Sequence, residues 1–182
     1  MAARFDSIRT ARLAMRRWRD ADRGPFAAMN ADPEVMRYFP APLGRAASDA
    51  FVDRAEALFE RQGFGLWALE EAATGAFLGF TGLNPMPPGV PGAGGMEVGW
   101  RLARHAWHQG FATEAAAAAV GVAFRGAGLA EVWSMTAMLN EPSQAVMRRL
   151  GMARWAAFDH PRVPPGHPLR PHVAYRLARP AP

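Results

Sequence analysis

The segment Trp107-His108-Gln109-Gly110-Phe111-Ala112-Thr113-Glu114 has the strongest chemical character in the chain. It runs into the alanine-rich stretch Ala115–Ala119, which has the composition of a helix, so it spans the entry to that helix. The leading backbone N–H groups of a helix lack helical partners and sit at the positive end of its dipole. Gly110 and the small Ala112 let an anionic ligand approach that backbone closely, as a pyrophosphate would. His108, Gln109, Phe111 and Thr113 complete the candidate contact set. A plainer reading stands beside it, in which Gly110 serves only a tight turn.

Three further residues bear chemistry. Glu97 stands between Met96 and Val98 in an apolar run, where a carboxylate is unexpected in a buried strand. It is either a proton acceptor or the solvent-facing member of an alternating strand. Asn140 and Ser143 open a helical stretch, where they either cap the helix or contact a ligand, since both residue types favour helix starts.

Other chemistry is excluded or weakly supported. The chain has no cysteine, so no acyl-thioester enzyme intermediate and no disulfide framework can form. No Gly-x-Ser-x-Gly elbow marks a serine nucleophile. All 21 basic residues are arginine, and without lysine no Gly-Lys-Ser/Thr phosphate loop exists. Gly63-x-Gly65-x-x-Ala68 imitates part of a dinucleotide fingerprint but precedes a strand. His105 and His108 flank a glycine turn without a third ligand, so no metal site is expected.

The elements that must position these residues follow from period and punctuation. Alternation predicts a strand over about 12–18, and the group Arg16, Arg17 and Arg19 in this alternating segment is expected to be a solvated face. Asp20 is expected to cap a short helix through Asn30, and Asp32-Pro33 to open another through Phe39. Ser48 reads as the cap of a longer helix whose apolar stripe is Phe51, Ala55, Leu58 and Phe59, with Gly63 as its stop. Phe64–Glu70 and Ala76–Leu83 form a hairpin through Thr74-Gly75. A Pro/Gly loop over 84–95 leads to a strand at Met96–Leu102, and a helix follows at Phe111–Gly126. A strand at Glu131–Leu139, a helix at Glu141–Leu150 and strands at Met152–Phe158 and His172–Leu177 complete the chain. This order indicates a mixed α/β sheet with helices on both faces, its strands 96–102 and 131–139 parallel across a βαβ crossover.

The 182 residues suit a single domain spanning 1–182. Half of them are hydrophobic, enough for a packed core. The +5 charge and the pI near 11.1 reflect scattered arginine, not a basic patch, so no nucleic-acid partner is expected. The longest apolar stretch, Ala115–Phe124, is too short to span a bilayer, and the N-terminus has no signal-peptide core. A cytoplasmic protein is expected.

Taken together, Glu97-Val98-Gly99-Trp100-Arg101-Leu102, then Trp107–Glu114, then Asn140-x-x-Ser143 with Leu150-Gly151-Met152 resemble the GNAT acyltransferase superfamily. The likeness is greatest to its Rim-type branch, whose namesakes acetylate the N-termini of ribosomal proteins. It covers roughly residues 8–178. Gly110 and Ala112 fill the last two places of the family pattern Q/R-x-x-G-x-G/A, while Trp107 stands where Gln or Arg would be.

The resemblance implies a central, mostly antiparallel sheet with one splayed parallel pair, and acetyl transfer from acetyl-CoA to a primary amine by direct attack. It makes Glu97 the acceptor of the amine proton and gives the backbone of Trp100, Arg101 and Leu102 to the thioester oxygen and the pantetheine arm. Many relatives carry a tyrosine where Met147 stands. Ser143 is the implied substitute proton donor to the sulfur, with Asn140 on the pantetheine. Tyr38, Phe39 and the His160–His172 loop, His160 included, are expected to form the acceptor pocket. The acceptor is a protein N-terminus or a small amine such as an amino acid, a polyamine or an antibiotic. A homodimer is compatible with this reading. The alternative is a non-catalytic acyl-CoA-binding module or sensor.

Overall fold

The computed structural model describes residues 4–181. Runs buried on both faces along Leu66–Glu71 (β3) and Phe77–Pro85 (β4), and apolar alternation along Met96–Leu102 (β5), build an antiparallel meander. Ser7–Arg9 (β1) and Leu13–Arg16 (β2) extend one edge. Glu131–Ala137 (β6), Ala153–Asp159 (β7) and Pro171–Ala178 (β8) form the other side, giving one eight-stranded sheet in the order β1-β2-β3-β4-β5-β6-β8-β7. Only β5 and β6 run parallel, and they share a single register pair, Glu97↔Trp133. From that pair the two strands splay apart. The expected mixed sheet with one splayed parallel pair is therefore present.

Helices Arg23–Ala31 (α1), Arg45–Gln62 (α2), Phe111–Gly121 (α3) and Glu141–Arg149 (α4) cover the sheet. Strand residues alternate between two cores. Trp67, Leu69, Val98 and Leu102 pack with Ala115, Ala116 and Ala119 of α3. Leu66, Ala68 and Phe80 pack with Phe26 and Met29 of α1 and Val52 and Ala55 of α2. No helix among the described residues is long and apolar enough to cross a membrane.

Gly63 ends α2 in the left-handed conformation (φ 79°), as its place after the helix requires. Several boundaries differ from expectation. The strand expected over 12–18 is shorter, and of the arginines expected as a solvated face only Arg19 is exposed. Arg16 bonds the buried Asp22 carboxylate at 2.8 Å and Glu70 at 2.8 Å, while Arg17 pairs with Glu56 and Glu60. Because Asp22 is committed to Arg16 and to the Arg19 N–H, Asp20–Asp22 closes a 3-10 turn and α1 starts at Arg23.

No helix forms over 32–39. Asp32 Oδ1 accepts the Glu34 N–H, and consecutive turns let the neighbours Val35 and Met36 both reach the α1–α2 core. Ser48 is no cap either. The helix begins three residues earlier, after Gly44, and Ser48 is fully buried inside it. The helix from Phe111 is α-helical to Gly121 and then widens, with Ala127 N–H bonding the Val122 carbonyl.

Candidate active site

Between the splayed strands, the first turn of α3 and the segment 34–40 lies a cleft of about 1560 Å³. All the candidate residues except Gln109 line it. Gln109 turns back on its own loop, donating from Nε2 to the His105 carbonyl at 2.7 Å.

Gly110 takes φ 80°, which glycine adopts without steric cost, and His108 is also left-handed at φ 59°. This backbone path brings the chain onto α3, whose first helical bond runs from Glu114 N–H to the Gly110 carbonyl at 3.1 Å. The amides of Phe111, Ala112 and Thr113 therefore precede the helical ladder. Trp107 fixes the loop to the strand end, its Nε1 donating to the Leu102 carbonyl at 2.8 Å. Arg12, which sequence reasoning missed, holds the other side. Its Nη1 donates to the Gln109 carbonyl at 2.8 Å and its Nε to Glu114 at 2.7 Å. Nothing local to position 12 signals this, because the contact spans about a hundred residues of chain.

Glu97 lies at the opening of β5 from β6. Its carboxyl is pushed up to about 7, first by burial, while a Met135 backbone hydrogen bond and the Arg162 charge pull the other way. Its Cδ leans over Gly99, where a Cβ would stand 3.9 Å away. Glu97 is partly buried, on the face of β5 opposite Val98, and lines the cleft. A carboxylate half-protonated near neutrality, inside a cleft, is suited to exchange a proton with a ligand.

Asn140 caps α4. Its Oδ1 accepts the Ser143 N–H at 3.2 Å, and its Nδ2 donates to Thr136 Oγ1 at 2.9 Å. Ser143 is therefore the capped residue and not the cap. Its hydroxyl makes no hydrogen bond among the described residues and lines the cleft. Met147 is fully buried in the α3 core, one turn further on and away from the cleft.

On the far wall, the His160 and His172 rings touch in a tilted arrangement with centroids 4.7 Å apart. Burial, and then the His172 and Arg162 charges, push His160 down to about 4, and burial lowers His172 as well. Tyr38 and Phe39 lie beneath two guanidinium groups, those of Arg37 and Arg101 respectively. His172, Arg162 and Asn30 were not singled out from sequence.

Residues 12–153 match the family model described as acetyltransferase (GNAT) domain. The chain belongs to the GNAT acetyltransferase family. Among curated relatives of this GNAT protein, the uncharacterized protein YkkB of Bacillus subtilis is 28% identical over 79% of this chain and 83% of its own length. FsC-acetyl coenzyme A-N(2)-transacetylase of Aspergillus fumigatus is 36% identical over 57% of this chain and 46% of its own. An acetyltransferase structure from Agrobacterium tumefaciens superposes with TM-score 0.78 at 25% identity, covering 98% of both chains. The RimL ribosomal L7/L12 alpha-N-protein acetyltransferase, solved with coenzyme A, superposes at TM-score 0.77 and 14% identity over 94% of this chain and 97% of its own, a likeness of fold.

GNAT enzymes use acetyl-CoA, and the donor set here fits such a ligand. The unpaired amides at the start of α3, beside Gly110, which carries no side chain of its own, suit its pyrophosphate.

Proposed function

We propose that this chain transfers the acetyl group of acetyl-CoA to a primary amine in a ternary complex. The observation that carries the reading is Glu97, a carboxyl tuned by burial to about 7 at the point where the parallel strands part. An α-amine titrates near 8 and a lysine amine near 10.4, so an α-amine sheds its proton more readily at neutral pH. The acceptor is accordingly an α-amine in preference to a lysine, on a protein N-terminus or on a small molecule.

Acetyl-CoA supplies the activated acetyl thioester. The amides of Phe111, Ala112 and Thr113 hold its diphosphate, and the free edge of β5 around Trp100–Leu102 receives the pantetheine arm and the carbonyl oxygen. Glu97 takes the proton from the amine, directly or through water. Ser143, whose hydroxyl has no hydrogen-bond partner among the described residues, gives a proton to the departing sulfur and regains one from solvent, to which Glu97 releases the amine proton. Asn140 holds Ser143 on the first turn of α4.

Transfer of radiolabel from acetyl-CoA to a panel of α-amines, polyamines and antibiotic amines tests this. Label on at least one amine, lost with Glu97→Gln near neutral pH, is the expected result. Tight acetyl-CoA binding with no transfer to any amine would instead describe a non-catalytic acyl-CoA-binding module.

A further inference from the structure

β5 presents Glu97, Gly99 and Arg101 to the α1–α2 side of the sheet, while Val98 and Leu102 enter the α3 core. Arg101 is tied to a buried polar relay. Its Nη1 donates to Asn30 Oδ1 at 2.7 Å, and Asn30 Nδ2 donates to Ser48 Oγ at 2.9 Å. Asn30 and Ser48 are both fully buried. The guanidinium carbon sits 4.1 Å from the Phe39 ring centroid.

This cation has no anion. Among the described residues, no carboxylate approaches the Arg101 guanidinium within 4.0 Å, and its buried Nε has no hydrogen-bond partner. Arg162, not Arg101, is the charge that acts on Glu97. Burial lowers Arg101 to about 10, which leaves it charged at neutral pH. A desolvated cation without a counter-charge is costly, and the fork of a guanidinium suits a carboxylate. Arg101 also lines the cleft that holds Glu97.

The spacing supplies the rest. Gly99 leaves the floor between them open, and Glu97 already leans over it. From Gly99 to Arg101 is two strand residues, about 7 Å. This backbone spacing sets the Glu97 and Arg101 side chains on one face of β5, on either side of Gly99.

We propose that Arg101 is the acceptor-specificity residue of the pocket, taking a carboxylate of the acceptor while the acceptor's amine faces Glu97. The carboxylate belongs either to a free amino acid or to an acidic side chain beside a peptide N-terminus. This rests on the transfer reading above, and the experiment keeps the two apart.

Acetyl transfer is measured for a free α-amino acid against its amide, and for a peptide beginning Ala-Asp against its Ala-Asn twin. The acidic member of at least one pair is expected to lead in kcat/KM by on the order of 100-fold, and the pair that does so names the source. Ratios near one in both pairs overturn the proposal. Arg101→Gln should shrink the favoured ratio to within about threefold, mainly through KM, with Arg101→Lys intermediate. A folded Arg101→Gln or Arg101→Lys protein that keeps the full ratio also overturns it. If no amine is acetylated, the transfer reading fails alone. Calorimetry of the N-acetyl amino acid against its N-acetyl amide then decides Arg101: tighter binding of the acid supports the site, and equal binding removes it.

Discussion

Arg12 and Glu114 are joined by an ion pair at 2.7 Å that brackets Gly110, since the same guanidinium also holds the Gln109 carbonyl. Thr10 adds a hydroxyl to the same carboxylate at 2.6 Å. The loop ahead of α3 is thus tethered to the β1–β2 connection at the sheet's edge. Arg12 is about half exposed, so the pair adds little to global stability. Arg12→Ala should weaken acetyl-CoA binding by about three- to tenfold, because the loop must then be ordered by the ligand. Its melting temperature should barely move. Calorimetric affinity and thermal melting on the same protein check both halves.

Gly110→Val should be harsher. A β-branched residue at φ 80° is strained by about 1–2 kcal/mol, and its side chain would meet Arg12 Nη2. Acetyl-CoA affinity should fall at least tenfold in a protein that still folds. Unchanged affinity would remove the loop from the diphosphate site.

Glu97 gives a pH prediction whose sign follows from its direction. Its folded-state value is raised to about 7, so the deprotonated, proton-accepting form grows in as pH rises through 7. Turnover should climb across that range in wild type, and Glu97→Gln should lose this limb. The stability effect has the opposite sense. The folded state holds the Glu97 proton more tightly than the unfolded chain, so its contribution is complete below about 4.5 and is lost as pH rises through 7. Glu97→Gln should therefore gain about 1–3 kcal/mol over wild type between pH 5 and pH 8. Paired denaturation curves at the two pH values measure it. His160, held down near 4, stays neutral throughout, so its removal should leave the midpoint in place.

Ser143 and Asn140 can be separated. Asn140→Ala removes the α4 cap and should cost about 1 kcal/mol. Ser143→Ala removes no cap. It should melt as wild type does while its maximal rate falls by about ten- to a hundredfold. A destabilised Ser143→Ala protein with full turnover would return the residue to structure. Met147→Tyr offers no rescue, since the side chain it replaces is enclosed by the core. Overpacking there should cost about 1–3 kcal/mol.

What was legible in the sequence was local. Met96–Leu102 was read at its observed bounds because apolar alternation and flanking Gly and Ala mark a strand directly. Gly63 and Asn140 were readable because a helix stop and a helix start each require a particular residue type nearby. What failed had competing long-range partners. Ser48 answers Asn30, eighteen residues away, instead of capping a helix. Asn30 and Arg101 lie 71 residues apart, and only the β4–β5 register and the seating of α1 bring them together. No periodicity carries that information.

The single register pair between β5 and β6 has a kinetic consequence. Below Glu97↔Trp133 the inner edges of both strands lie in mid-sheet yet lack each other as partners. Their amides should exchange with deuterated solvent far faster than those of β4, which is bonded on both sides. A ligand lying along that edge should slow the same few amides selectively. The sheet thereby marks its own vacant strand position, and a map of exchange rates would read occupancy of the cleft without any turnover.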